Sequence, residues 1–401
     1  MTISEKIDKC IEAILPELIE IRHDLHAHPE LGYKENRTSE VIKKELANAG
    51  VPFVENLAGG TGVLGHLSGE GNEAVGLRAD IDALPITEIN TFNWKSLHEG
   101  CMHACGHDGH TTVLIGVAKV LAEIAKESKL PNPVTFVFQP AEEGGGGGKR
   151  MVEDGCLDGS KIGPKVSVMY GLHGWPQHTA KHVQTRVGAV LASDVGVNIK
   201  ITGTGGHAAF PHFCDDPILC AANVITSMQQ IVSRNTDPLD SLVISLTQIH
   251  GGTTHNIIPS SAEITGTIRF LQDSTGEMAK RRVKKIAESL ASAHNCSADV
   301  TLIDGYPVTR NDKCAVAHFF ETANAVLPKE HVGEFPAPVM GGEDFSYYCK
   351  EVPSCFFMVG LLPEGEESMP SLHQPDFDFN DDVIPTCVKM FCELALRYSG
   401  F

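Results

Sequence analysis

The sequence is poor in positive charge. Its 32 Lys and Arg are set against 51 Asp and Glu, for a formal net charge of −19. Nucleic acid and anionic membrane surfaces are held through a basic footprint, so neither is an expected partner, and an anionic substrate would have to be caught by a local positive site. No C-x-x-C pair occurs either. The 12 Cys are scattered from Cys10 to Cys392 with no regular framework, the pattern of buried free thiols in a reducing compartment. The opening MTISEKIDKC mixes charges where a secretory signal would carry an apolar core, and no apolar run reaches membrane-spanning length. These absences lead us to expect a cytoplasmic protein. There is no internal repeat, and no low-complexity stretch beyond one run of glycines.

What is present fits a folded chain of two or three domains at about 150 residues each. Apolar residues make up 42% and charged residues 21% of 401, ordinary values for a globular protein. Helical spacing marks residues 4–26, with Ser4 as the expected N-cap, 38–49 ending at Gly50, and 111–125. Strand-like runs at 62–67, 74–81, 134–138 and 166–170 alternate with them, and polar residues recur at the strand exits. This is the signature of a doubly wound α/β fold. From about Gly188 the order becomes β-α-β-β-α-β, that of a ferredoxin-like sandwich, before α/β alternation resumes. The expected organisation is therefore an α/β catalytic domain of residues 1–186 and 304–401, with an inserted ferredoxin-like α+β domain of residues 187–303.

The chemistry centres on Met102 to His110, where three His, one Cys and one Asp fall within nine residues. Imidazole, thiolate and carboxylate together suit a borderline-soft divalent metal. Cys105 and His107, two apart, reach one face in an extended loop but not on a helix, which suggests a site just before the 111–125 helix. A Cys105 nucleophile with a His base is the competing reading. Glu142 and Glu143 stand side by side after a buried strand and before five glycines, so one can bind a cation while the other moves a proton, the pair that metal-assisted hydrolysis needs. His173 repeats the geometry on the next strand and His373 stands in the segment 371–381, a structural role being the alternative for each, and Asp82 could orient a ligand. In the inserted domain His207, Asn256 and Arg269 could hold a carbonyl oxygen and a carboxylate; an Arg269 paired with a structural acid is the alternative.

The ordered motifs RADIDALP, MHACGHDGHT, QPAEEGGGG, GLHGWP, GGHAAFPH, GGTTHNIIP, GTIRF, GGEDF and LHQPDFDFND, from Arg78 to Asp381, resemble those of the metal-dependent amidohydrolases that include hippurate hydrolase, bacterial aminoacylase and the plant auxin-conjugate hydrolases. The resemblance implies a metallopeptidase-like catalytic domain with an inserted lid and dimerisation domain, and a homodimer that cleaves N-acyl amino acids. It implies two divalent metals per subunit, drawn from zinc, manganese, cobalt or nickel, on Cys105, His107, Glu143, His173 and His373. Glu142 would be the general base and His207 the residue that polarises the scissile carbonyl. Asn256 and Arg269 would bind the substrate's carboxylate. A dipeptidase, a biosynthetic N-acetyl-amino-acid deacetylase and a non-catalytic metal-binding protein are the alternatives on the same scaffold.

Overall fold

A computed structural model describes residues 2–401. The chain divides into two compact units, one reaching to Val190 and resuming as Arg310–Ala337 and Asp344–Phe401, the other made of Leu191–Thr309 with Pro338–Glu343. The short return of 338–343 to the second unit has no counterpart in the sequence reading; Ala192 N–H is held by the carbonyls of Val339 (3.1 Å) and Gly341 (2.8 Å). Among the described residues no helix is long and apolar enough to cross a membrane.

The first unit is built on an eight-stranded mixed sheet. Its centre is parallel: Val134–Gln139, Ala74–Asp80, Val166–Thr179 and Ser354–Leu362 lie side by side in that order. Antiparallel strands flank them, so the sheet is not parallel throughout as a simple doubly wound fold would be. Val134–Gln139 and Ala74–Asp80 are buried along their whole length, as strands covered on both faces must be. The first helix, Ile3–Ala27, buries Ile7, Ile11, Leu18 and Leu25 at helical spacing, each contributing about 1.5–3 kcal/mol relative to exposure. It packs against His107–Glu127 and the C-terminal helix Ile384–Arg397. Its N-cap is Thr2, in a capping box with Glu5. Ser4 instead lies inside the helix, its hydroxyl donating to Glu393 at 2.5 Å.

One strand runs past its expected end and one helix starts before its expected beginning. The strand from Val166 continues through His173 to Thr179, because Ser354–Leu362 pairs with it in parallel as far as Trp175 and again at Thr179. The helix expected at 111–125 begins at His107.

In the second unit, strands Leu242–Gly251, Ser261–Phe270, Ser193–Thr202 and Ser297–Asp304 form an antiparallel sheet in that order. In chain order this is 2-3-1-4, with helices Pro217–Gln230 and Asp273–Ala293 as the two crossovers. That is the ferredoxin-like arrangement expected.

Candidate active site

The parallel strands of the first unit deliver their chemistry near their carboxyl ends, as open α/β sheets do. Ala74–Asp80 leads directly to Asp82, Val134–Gln139 to Glu142 and Glu143, and His173 lies within its own strand. Cys105 sits in the last turn before the helix and His107 is the first helical residue, so the two straddle the helix start. Gly106 between them takes φ +84, and a Cβ at Gly109 would lie 2.4 Å from the Phe379 ring. The ring can wedge under this turn only because Gly109 has no side chain. The 373–381 segment is also tied from the other end, since His373 N–H donates to the Ala104 carbonyl at 2.8 Å. His373 and Ala141 both hold left-handed backbone, with φ +64 and +52, a costly choice for residues with a Cβ that persists where surroundings over-determine it.

Within this frame seven expected residues converge. Donor atoms of Cys105, His107 and His173 lie within 4.8 Å of one another, as do those of Cys105, Glu143 and His373, and those of His107, Glu142 and Glu143. Cys105 belongs to two of these triads. The imidazoles of His107 and His173 each turn Nε2 toward the other donors. His173 donates from Nδ1 to the Gly174 carbonyl (2.7 Å), so Nε2 is the acceptor and takes the Cys105 thiol at 3.3 Å. His107 Nδ1 faces Asp82 Oδ1 at 3.2 Å, and its buried Nε2 has no hydrogen-bond partner. The second oxygen of Asp82 accepts Glu143 N–H at 3.0 Å. A carboxylate behind an imidazole, with the outer nitrogen unspent, is how proteins present histidine to a metal.

The electrostatics agree with that arrangement. Burial opposes charge on His107, yet the carboxylates of Asp80, Asp82 and Glu143 push it up to about 10. The pull on a proton there is the pull a divalent cation would feel. Burial, reinforced by Glu143, Glu142 and Asp80, raises the Cys105 thiol well above its ordinary range. A thiol so placed is inert as a nucleophile without a cation to ionise it, which weighs against thiol catalysis. Burial and the neighbouring His110 drive His173 well below the usual imidazole value, keeping it neutral. Thiol, imidazole and carboxylate donors that meet only one another at this point, Cys105 with His173 and His373 with Glu143, are a set that fits borderline divalent ions.

Asp82 was the expected orienting group, but other residues support the donors too, and of these Asp344 was not singled out in the sequence. Asp80 and His110 are near the centre but committed elsewhere: Asp80 accepts from Arg78 (2.6 Å) and His110 (2.7 Å), and His110 Nε2 accepts Gly174 N–H (2.9 Å). Asp344 receives Arg78 (3.0 Å), Gln139 (2.8 Å) and Gly148 N–H (2.7 Å), while its own N–H reaches toward Glu142 Oε1 at 3.4 Å. Asp108, beside His107, bonds His26 at 2.8 Å and anchors the helix start to the first helix. Every one of these is a buried polar residue, a property that no single motif in the sequence carries.

The remaining expected residues belong to the second unit. His207 and Asn256 are brought together: Gly206–His207 pairs with Ile257–Ile258, and Ala208 N–H donates to the Asn256 carbonyl at 3.0 Å. His207 Nδ1 accepts Ala209 N–H at 3.0 Å, so the ring proton sits on Nε2. Arg269 stands on the Ser261–Phe270 strand and donates to the Met340 carbonyl at 3.2 Å. Among the described residues Arg269 makes no ion pair, and Asp194 is its cross-strand partner in the sheet.

Comparison with known proteins agrees with this architecture. The family model described as peptidase family M20/M25/M40 matches residues 76–397. The chain is 40% identical over 385 residues to IAA-amino acid hydrolase ILR1-like 4 of Arabidopsis thaliana, covering 95% of this chain and 85% of that one. It is 35% identical to the hippurate hydrolase of Campylobacter jejuni, covering 96% and 99%. A solved Bacillus subtilis structure, described as a dinuclear metal binding peptidase from the M20 family, superposes with a TM-score of 0.83 at 30% identity over 96% of this chain and 98% of that one. With a family match across most of its length and relatives this similar end to end, the chain belongs to peptidase family M20/M25/M40 and is a metal-dependent amidohydrolase.

Proposed function

We propose that the protein cleaves the amide bond of N-acyl-L-amino acids, of N-acetyl or N-benzoyl type, to a carboxylate and a free amino acid. The observation that carries the reading is the sharing of Cys105 between two donor triads, beside a second carboxylate, Glu142. One divalent ion would be held by Cys105, His107 and His173, and another by Cys105, Glu143 and His373. When bound, the ions would supply Lewis acidity toward the scissile carbonyl and the attacking water.

The chain's own residues do the rest. Asp82 keeps the His107 ring and the Glu143 backbone in register. The Glu142 carboxylate takes a proton from water as the water oxygen attacks the carbonyl carbon, then returns it to the leaving nitrogen as the C–N bond breaks. Its burial, at 7% exposed, keeps that proton from bulk solvent. His207, neutral and with its proton on Nε2, donates to the oxyanion, in a homodimer from the partner copy's inserted unit. Arg269, with Asn256, meets the substrate carboxylate, its guanidinium being committed to one backbone carbonyl, that of Met340. The names of the plant and Campylobacter relatives favour this substrate class.

The test is Glu142→Gln in protein reconstituted with zinc, manganese, cobalt or nickel and assayed on a panel of N-acyl amino acids and dipeptides. Metal should still bind and turnover should vanish; near-normal kcat would remove Glu142 as the base. Preferential cleavage of dipeptides by the wild type would move the reading to a dipeptidase.

A further inference from the structure

Glu35 is wholly buried at the start of the Asn36–Ala49 helix, yet its side chain does not cap that helix. Glu30 does so instead, accepting Arg37 N–H (3.1 Å) and Thr38 N–H (2.8 Å). The Glu35 carboxylate turns inward. One oxygen accepts Ala141 N–H at 2.9 Å and the other the Thr61 hydroxyl at 2.8 Å. Burying an acid this completely is costly unless the position needs it.

Ala141 is the residue before Glu142 and holds left-handed backbone, φ +52 and ψ +47. That step sends the chain out of the Val134–Gln139 strand into the Glu142–Glu143 turn. An alanine gives up about 1–2 kcal/mol to sit there, so something must hold it. The amides on either side of Glu142 are both bound by buried carboxylates, Ala141 by Glu35 and Glu143 by Asp82. Gly32 packs beneath, where a Cβ would come within 3.1 Å of the Ala141 side chain.

We propose that Glu35 is a positioning residue for amide cleavage: by holding Ala141 N–H it fixes the left-handed step from which the proton-carrying Glu142 and the metal-binding Glu143 diverge. This rests on the function proposed above. The requirement is an acceptor at a set reach, not a charge. Burial raises the Glu35 carboxyl to about 7, and its protonated form can still accept from Ala141 while donating to Thr61.

Two variants separate reach from charge. Glu35→Gln keeps the length and the acceptor; Glu35→Asp keeps the charge but falls one methylene short. In the metal-loaded enzyme, Glu35→Asp should lower kcat at least tenfold with KM within twofold, and Glu35→Gln should stay within threefold on both. Titration of the metal-free proteins with Zn²⁺ alone should show weakening of at least threefold for Asp and none for Gln. Adding Ala141→Gly, which takes left-handed backbone without penalty, should recover at least threefold of the kcat lost in Glu35→Asp. A larger loss for Gln than for Asp, or wild-type behaviour in both, overturns the proposal. A wild type inert toward every N-acyl amino acid would instead overturn the proposed function, and the zinc titrations would still decide the role of Glu35.

Discussion

Asp82 is the residue whose replacement tests the metal reading most directly. Its two oxygens each accept a donor that the site needs in place, the His107 ring at 3.2 Å and the Glu143 amide at 3.0 Å. At 1% exposed, it leaves neither donor an alternative in solvent. Asp82→Asn is nearly isosteric but offers one oxygen and one NH2 group, so one of the two donors must face another donor. An unmade buried hydrogen bond costs about 1–3 kcal/mol. Loss of a carboxylate behind a metal-binding imidazole costs about 10–100-fold in affinity, or about 1.4–2.7 kcal/mol. The two routes agree. Zinc affinity, measured by competition with a chromophoric chelator, should fall 10–100-fold in the variant while its circular dichroism matches the wild type. Affinity within threefold of the wild type would refute the reasoning, because Asp82 would then orient nothing that binds metal.

Other outcomes follow from the same geometry. Zinc binding at pH 8 should release about two protons, one each from His107, held up to about 10, and Cys105, held by burial well above the ordinary thiol range, in the metal-free protein; calorimetry in buffers of different ionisation enthalpy counts them, and fewer than one would contradict the assignment. His207→Ala should lower kcat about 10²–10³-fold with zinc affinity unchanged, whereas a change in zinc affinity would make it a ligand. Gly109→Ala should destabilise the protein by about 1–3 kcal/mol, because its Cβ meets the Phe379 ring at 2.4 Å; an unchanged Tm would show that the ring is free to move. His26 is buried, which opposes its charge, but Asp108 and Glu88 raise it from 6.5 to about 9. Its stabilisation is therefore complete below about pH 6.5 and lost as pH rises through about 9. Tm should fall across that window in the wild type and stay flat in His26→Gln; equal slopes would assign the loss to another group.

Much of this was legible in the sequence because local chemistry carries it. The Asn36–Ala49 helix ends at Gly50, where a terminating glycine was expected, and the β-α-β-β-α-β order of the second unit follows from periodicity alone. The pairing of ligand-type residues with strand exits placed Glu142 and Glu143 correctly after a buried strand. What was hidden depends on partners distant in the chain. The strand through His173 outruns its apolar pattern because Ser354–Leu362 lies alongside it. Ser4 lost the capping role to Thr2 because Glu5 closes the box from inside the helix. His110 and Asp80 were left out of the ligand set, and their hydrogen bonds to Gly174 and Arg78 show what they hold instead. Glu35 gave no signal, since nothing local distinguishes an acid that caps its own helix from one that reaches a turn 106 residues away.

The sharing of Cys105 between two triads has a consequence for how the protein is made. One triad needs His173 and the other needs His373, while the helix behind them packs on both the first and the last helices of the chain. During synthesis the first half of the chain can emerge and collapse with neither triad supported by its finished surroundings, and the second triad cannot exist until His373 has left the ribosome. With the ligands proposed, two-ion binding thus requires residues spread from Cys105 to His373, and a fragment ending before His373 should hold at most one ion.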